Sequence, residues 1–357
     1  MQDADVLVVG GGPSGATLAL RSSQLGFRTV LVEKSRLKRH KPCAGILPSV
    51  CIDILGDIGL KIPTQLMSSP PTLGLFLVPP SGRSASGCLE NYRFLNVNRD
   101  GLDEWLLRRA ENAGTEILNE AEFVRLKEHN GMEALIKARD RTIKLSTQYI
   151  IGADGALSTM RRQLYSDKVS NLQILQEYWL ADGNFNDCFY AFFSDNITPA
   201  YSYVVPKDEY LIVGTGVPQR HHTSALDCLI KFKQWLSSEF EFCPIRLVKR
   251  EAAAIPYHHP LCGKENIILV GDAAGFCNPF SGEGVRLGIE SAIAAAEALL
   301  QAENDHTTLS SAYMQQVKSL TQFIHETLEF AINITDDGRE EFIKSRLTHS
   351  TLNPLQR

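Results

Sequence analysis

The sequence has no C-x-x-C pair. Its eight cysteines, at positions 43, 51, 88, 188, 228, 243, 262 and 277, are scattered along the chain. That argues against a zinc site and a dense disulfide framework, and suits a reducing cytoplasm. Charge of one sign is also missing. The formal net charge is -5 over 357 residues, which gives no overall pull toward nucleic acid or an acidic membrane surface. No apolar run reaches the ~20 residues needed to cross a bilayer. Residues 289–300 come nearest, and Glu290 and Glu297 interrupt them, so no integral membrane segment is expected. An apolar strand begins almost at Met1 and leaves no room for a signal peptide. There are no internal repeats or low-complexity runs, no metal-ligand spacing, and no His or acid that stands out as a general base. His258 and His259 are adjacent on an expected loop. What is present is ordinary for a globular chain, with 44% hydrophobic and 22% charged residues, and the length suggests about two domains.

Against that plain background one stretch is specific. Asp5-Val-Leu-Val-Val9 reads as a buried strand, Gly10-Gly11-Gly12-Pro13-Ser14-Gly15 as a tight turn, and the following residues as a helix. Gly10, Gly12 and Gly15 fit G-x-G-x-x-G. Gly10 permits the turn, Gly12 lets a pyrophosphate approach the backbone, and Gly15 lets helix and strand pack closely. The helix start, at Pro13 and Ser14, offers free N–H groups and a positive dipole end. A second apolar strand ends at Glu33, placed to accept ribose hydroxyls, with Lys34 beside it. A lone glycine motif is weak evidence. Strand before, helix after and acid at the end of the next strand make it a dinucleotide site.

Six of the eight residues from Lys34 to Lys41 are basic or His. They form either a solvated loop or a contact for nicotinamide phosphates or an acidic partner. Pro42-Cys43-Ala44-Gly45 is small and rigid enough to lie flat against a planar ring, with Cys43 either a buried filler or facing a cofactor. A helix is expected near residues 50–60, then loops and short strands to 98. A helix follows over 99–114, capped by Asp100, with Arg99 just before the cap, where a cation could meet a phosphate. Residues 117–151 alternate like a three-stranded meander. A second strand–turn–helix junction is Ile151-Gly152-Ala153-Asp154-Gly155, with Ser158 as helix cap and Arg161 beyond. Residues 170–218 are rich in aromatics and read as antiparallel strands. Most of their rings should be sheet core, with Tyr201, Tyr203 and the Pro206-Lys207 turn set apart. An amphipathic helix over 224–242 uses Leu226, Leu229, Ile230, Phe232, Trp235 and Leu236, and a strand returns at 245–255. A third junction runs through Gly271 and Asp272 to Pro279, Gly282, Gly284 and Val285. There Asp272 is placed to hold a sugar hydroxyl, and a helix start can stabilise negative charge on a ring. Residues 285–347 read as helical and 348–357 as a loose tail.

Three such junctions in this order and spacing resemble the FAD motifs of the para-hydroxybenzoate hydroxylase-like flavoproteins, over residues 3–300. Within them, Lys41-Pro42-Cys43-Ala44-Gly45 and Tyr201-x-Tyr203-x-x-Pro206-Lys207 are similar to loops of the geranylgeranyl reductase-like branch, with Ala44 in place of a glycine and Tyr203 in place of a tryptophan. The resemblance implies an α/β fold: a Rossmann-like, three-layer FAD-binding domain with a parallel sheet, an antiparallel β-sheet cap domain for the substrate, and C-terminal helices. It implies a discontinuous FAD domain at 1–75, 96–165 and 258–305, a cap at 76–95 and 166–257, and helices and tail at 306–357. Gly10, Gly12, Pro13, Ser14, Gly15, Glu33 and Lys34 would hold the ADP half of FAD. Arg99, Asp154, Gly155, Gly271 and Asp272 would flank the phosphates and ribitol. Cys43, Ala44, Gly45, Pro279, Gly282, Gly284 and Val285 would meet the ring, with Cys43, Tyr201, Tyr203, Pro279 and Gly282 as its catalytic set. With one Rossmann fingerprint, NAD(P)H would visit as an external reductant without a domain of its own.

The resemblance leaves three functions open. The first is a monooxygenase that hydroxylates an aromatic group through a flavin C4a-hydroperoxide, with Tyr178, Trp179, Phe192, Tyr201 and Tyr203 lining the site. Its substrate could be a tryptophan of a precursor protein during maturation of a tryptophylquinone cofactor, since the chain's length and short C-terminal part look like that group. The second is a geranylgeranyl or polyprenyl reductase that saturates C=C bonds and uses Cys43. The third is a non-enzymatic flavin-binding accessory protein.

Overall fold

The computed structural model describes residues 3–128, 132–139, 141–166, 168–219 and 221–352. The chain divides into two compact units. The first takes Met1–Lys41, Asp100–Val169 and Ile255–Leu328; the second takes Pro42–Arg99, Ser170–Ala254 and Glu329–Arg357.

The first unit is built on an eight-stranded sheet. Six strands lie in the spatial order Gly263–Lys264, Ile267–Leu269, Arg141–Gly152, Ala4–Val9, Thr29–Glu33 and Glu116–Asn119. The last five of these run parallel, with Val6 opposite both Thr29 and Tyr149. Val6, Leu7 and Val8 are all fully buried. Successive side chains point to opposite faces, so both faces of the sheet are covered, the condition under which parallel sheets occur. The expected meander exists, but it starts later. Ala121–Glu128, Met132–Ala138 and Arg141–Gly152 pair antiparallel, while Glu116–Asn119 breaks away to extend the parallel sheet on Thr29–Glu33. Helix Pro13–Gln24 packs against helix Val285–Asp305, which begins where the third junction predicts.

The second unit has its own eight-stranded sheet. Its order is Cys243–Pro256, Asn171–Asp182, Tyr210–Pro218, Thr198–Lys207, Cys188–Ser194, Met67–Val78, Gly87–Val97 and Ile46–Pro48. Cys188–Ser194 runs parallel to Met67–Val78, and the pairs on either side of that junction are antiparallel. The loops and short strands expected before residue 98 are instead two strands of 12 and 11 residues. The ladder slips in register between Met67 and Thr72, and this irregularity accommodates Pro70 and Pro71. The helix expected near 50–60 is the short Cys51–Asp57.

Strand alternation sorts the rings of this sheet. Tyr190, Phe192, Val204 and Val213 point to one face, where helix Ala225–Glu239 lays Leu229, Phe232 and Leu236 over them. Phe192 is 4.9 Å from Phe232 between ring centroids, and Trp179 packs on the same cluster. Phe192 and Trp179 are therefore core of the helix-covered face, which corrects their expected place as site-lining rings. The helix itself is capped by Ser224, and its buried stripe is narrower than expected. Leu226 and Ile230 lie outside it, exposed. On the opposite face Phe94, Phe189, Tyr203, Tyr201 and Phe193 form a continuous row, with centroid spacings of 5.6, 6.3, 5.9 and 6.5 Å. At the C-terminal end, residues 348–352 are not loose. They belong to helix Asp336–Leu352, where Thr348 donates back to the Lys344 carbonyl and Leu347 rests against Gly87. Residues 353–357 lie outside the described residues.

Candidate functional site

The first junction is shaped by what cannot be there. Gly10 has φ +106°, and a Cβ on it would lie 2.4 Å from the Ala153 carbonyl oxygen. A Cβ on Gly15 would lie 1.9 Å from the Gly10 carbonyl oxygen. Gly12 differs: its φ of −73° is ordinary, and only the Arg39 guanidinium comes near a built Cβ, at 3.3 Å. Glycine at 10 and 15 is therefore required by the protein, and glycine at 12 leaves room for something else. Pro13 is the first helical residue, where its missing N–H costs nothing. Ser14 Oγ sits where a Cβ on either Gly271 or Gly288 would be, at 2.2 and 2.4 Å. The first and third junctions thus meet at this one hydroxyl.

Glu33 is buried and its carboxylate accepts from Gly11 N at 2.7 Å and Ser35 N at 2.9 Å. It closes the turn onto the end of the second strand. Lys34 next to it is exposed. The basic loop is not simply solvated. Arg36 pairs with Glu120 at 3.2 Å, Arg39 with Asp103 at 3.2 Å and His40 with Asp100 at 2.9 Å. Arg39 is the residue that motif reading missed. The buried acid Asp103, in the first turns of helix Arg99–Asn112, holds the guanidinium beside Gly12. Its clue in the sequence is an acid on a helix face otherwise filled by Leu102 and Leu106. Arg99 opens the same helix and is half-buried.

The second junction turns its charges inward. Asp154 receives the Ser158 hydroxyl at 2.5 Å and the N–H groups of Thr159 and Met160 at 2.6 and 3.1 Å, so it caps helix Thr159–Leu164 jointly with Ser158. Gly155 follows at φ +81° with open space around it. Arg161 is 4% exposed. It donates to Ala156 O at 2.5 Å and Ala273 O at 2.9 Å, tying the second junction to the third. Its burial lowers its pKa.

In the third junction Gly271 and Asp272 open the one-turn helix Gly271–Ala274. The Asp272 carboxylate lies 3.1 Å from where a Cβ on Gly284 would be. Between them Asn278 organises the turn, with its side-chain oxygen accepting from Phe280 N and Ser281 N and its carbonyl accepting from Gly282 N at 2.8 Å. Pro279 is buried in this turn and Gly282 has φ +71°. Gly284 then caps helix Val285–Asp305 with no side-chain acceptor on its first N–H groups.

The other candidates belong to the second unit. Cys43 is half-buried and its sulfur accepts from Gly45 N at 3.4 Å. Gly45 has φ +72° and lies against Val97. Tyr201 and Tyr203 are buried in the ring row. Tyr203 lies over Gly214 and donates to Gln176 Oε1 at 2.7 Å, and burial raises its pKa far above that of free tyrosine.

The fit to FAD rests on the residues themselves. Gly12 leaves the space next to a helix N-terminus open. Beside it the buried Arg39 Nε lies 3.8 Å from the Glu33 carboxylate and has no hydrogen-bond partner among the described residues, a donor that an anionic oxygen would satisfy. Glu33 supplies the acceptor a ribose requires. These residues suit the ADP half of the cofactor. Comparison with known proteins agrees. The protein CbrA of Shigella sonnei is 27% identical over 334 residues, 90% of each chain. The structure is similar to a geranylgeranyl bacteriochlorophyll reductase-like protein of Thermoplasma acidophilum, with TM-score 0.82 over 99% of this chain and 97% of that one at 19% identity. It is also similar to the p-nitrophenol 4-monooxygenase PnpA of Pseudomonas putida, with TM-score 0.72 over 98% and 94% at 17% identity. These two likenesses show a shared fold. The FAD binding domain family matches residues 3–322; the chain belongs to that family and is an FAD-dependent oxidoreductase.

Proposed function

We propose that the protein is a monooxygenase that hydroxylates an aromatic group. Bound and reduced FAD supplies the activation of O2, and reduced nicotinamide supplies the electrons. The chain's own residues bind and orient. Gly10, Gly12, Pro13, Ser14, Gly15, Glu33 and Arg39 hold the ADP half. Asp272 and the backbone N–H groups at 283–285 hold the polar edge of the flavin and favour negative charge there. The observation that carries the reading is the ring row Phe94, Phe189, Tyr203, Tyr201 and Phe193 on the face of the second sheet opposite helix Ala225–Glu239. It offers aromatic contact and, at Tyr203 in its middle, a hydroxyl bonded to the Gln176 amide. Such a surface selects a flat, electron-rich ring.

The finer reading is a tryptophan side chain of a partner protein. It is supported by strand Cys243–Pro256, the terminal strand of the sheet, which is exposed over 243–250 and carries Ile245, Leu247 and Val248 outward. A free strand edge with apolar side chains suits an extended polypeptide. The competing reading, a polyprenyl reductase, draws on the half-buried Cys43 thiol in its small-residue loop. The test is isotopic. The FAD-loaded protein is reduced, given 18O2 and offered free indoles, phenols and tryptophan-containing peptides. One heavy oxygen in the product is the expected result. No incorporation, together with anaerobic saturation of a polyprenyl diphosphate, would replace hydroxylation by reduction.

A further inference from the structure

Lys207 ends strand Thr198–Lys207 and is 9% exposed. Its ammonium donates to Ala44 O at 2.9 Å, Asn96 Oδ1 at 2.7 Å and Val97 O at 2.8 Å. Three N–H bonds therefore meet three acceptors, and none of these acceptors is a carboxylate. A buried cation held only by neutral oxygens is costly, and an uncharged side chain could fill the space more cheaply. The surroundings are arranged to keep it. The Asn96 amide nitrogen donates to Pro70 O at 3.0 Å and Pro206 O at 3.1 Å, which aims the Asn96 oxygen at the lysine. Val97 N donates to Gly45 O at 2.8 Å. A Cβ on Gly45 would lie 2.2 Å from Val97 O and 3.0 Å from Lys207 Nζ. The loop is thus pressed onto the strand at the point where the ammonium holds it.

We infer that Lys207 is a positioning residue, whose three-way hydrogen bonding sets the conformation of the Cys43-Ala44-Gly45 loop. The consequence for the flavin rests on the reading of that loop as part of the flavin site. Burial lowers the lysine pKa to about 8, against the raising influence of Cys43 and Asp208. A neutral amine has two N–H bonds, so deprotonation releases one of the three acceptors but also removes the larger cost of the buried charge.

The test follows amide hydrogen exchange in the FAD-loaded full chain between pH 7 and 9.5, corrected for the intrinsic rate. Because an open loop would hydrate the ammonium, peptides covering 43–47 are expected to gain protection about tenfold as pH rises past 8, while peptides of strand Ala4–Val9 keep theirs. In Lys207→Met the loop is expected to be weakly protected throughout, with no midpoint. Flavin absorbance is followed in the same samples. If loop and flavin change with one midpoint, both assignments stand. If the loop responds and the flavin does not, Lys207 positions the loop but the loop is not part of the flavin site. If the wild-type loop shows no step, the inference is overturned, and this arm does not require the variant to fold.

Discussion

Two glycines of the same turn, Gly12 and Gly15, should fail in different ways when each gains a single methyl group. In Gly15→Ala the new Cβ would sit 1.9 Å from the Gly10 carbonyl oxygen, a backbone atom that cannot rotate away. Strand and helix must separate, and overpacking of this kind costs about 1–3 kcal/mol or more. In Gly12→Ala the nearest atom is the flexible end of Arg39 at 3.3 Å, and the backbone is already in an ordinary region at φ −73°. The apoprotein should keep its stability or gain up to about 1 kcal/mol from the stiffer unfolded chain. Its methyl group would instead occupy the opening left for the pyrophosphate. Losing one charge-assisted hydrogen bond there, about 1.5–3 kcal/mol, weakens FAD binding by roughly 10–100-fold. Urea unfolding of the apoproteins and flavin fluorescence titration separate the two effects. We expect Gly15→Ala to lower both stability and affinity, and Gly12→Ala to lower affinity alone. Equal apoprotein midpoints for all three proteins, or FAD binding to Gly12→Ala with wild-type affinity, would refute the division of labour between these glycines.

Two further outcomes follow from buried cations. Replacing Arg161 by Met removes donors from Ala156 O and Ala273 O and should cost about 3 kcal/mol or more, read as a fall in the urea midpoint; Arg162→Ala, with its exposed side chain, should change it little, and similar midpoints for the two would sink the account. Lys207 gives a signed pH effect. Its folded pKa lies below its ordinary 10.5, at about 8, so between these values the unfolded chain binds the extra proton and stability rises with pH. The rise, fully present above 10.5 and lost as pH falls through 8, is on the order of 3 kcal/mol. It should appear as the difference between wild type and Lys207→Met across that window, and a flat difference would mean the lysine is not desolvated.

The first junction was legible because its chemistry is local. A strand, three glycines and an acid within 30 residues leave few other structures open. The parallel sheet came from the family resemblance, which the unbroken apolar run Val6 to Val9 suits, and the helix cap at Ser158 followed from residue type. Long-range placement was not legible. The residues before 98 read as loops and short strands because nothing local announces a register shift that tolerates Pro70 and Pro71. Phe192 and Trp179 read as site rings because composition does not say which face of a strand a helix will cover. Alternation would have paired Tyr190 with Phe192 and Tyr201 with Tyr203, but only the position of helix Ala225–Glu239 decides which pair is core. Arg39 was overlooked for the same reason, and Lys207 stood out only as part of a turn. Each looks like an ordinary surface cation until the acid or the carbonyl oxygens that hold it are brought up from distant segments.

The fate of the charged groups bears on where the chemistry lies. At the three junctions the conspicuous ionisable side chains are occupied by backbone. Asp154 caps a helix, Glu33 takes the N–H groups of two turns, and Arg161 holds two carbonyls. A group so engaged is a poor proton carrier, because moving its proton would break the turn it stabilises. In the second unit the ring row carries the Tyr201 hydroxyl and the Tyr203 hydroxyl, the latter pushed far above its ordinary pKa by burial, and Gln176, which accepts from Tyr203, donates to the buried Glu251 carboxylate at 2.9 Å. The Tyr203 hydroxyl does not give up a proton readily near neutral pH, and Glu251 is held by Gln176. An enzyme made this way contributes orientation and a fixed electrostatic field, and leaves bond making to the cofactor. Substrates that require a strong base from the protein should therefore turn over slowly, and those whose own ring is electron-rich should turn over well. A rate that rises steeply with the ring's electron density, and changes little when Tyr203 becomes phenylalanine, is the pattern this arrangement requires.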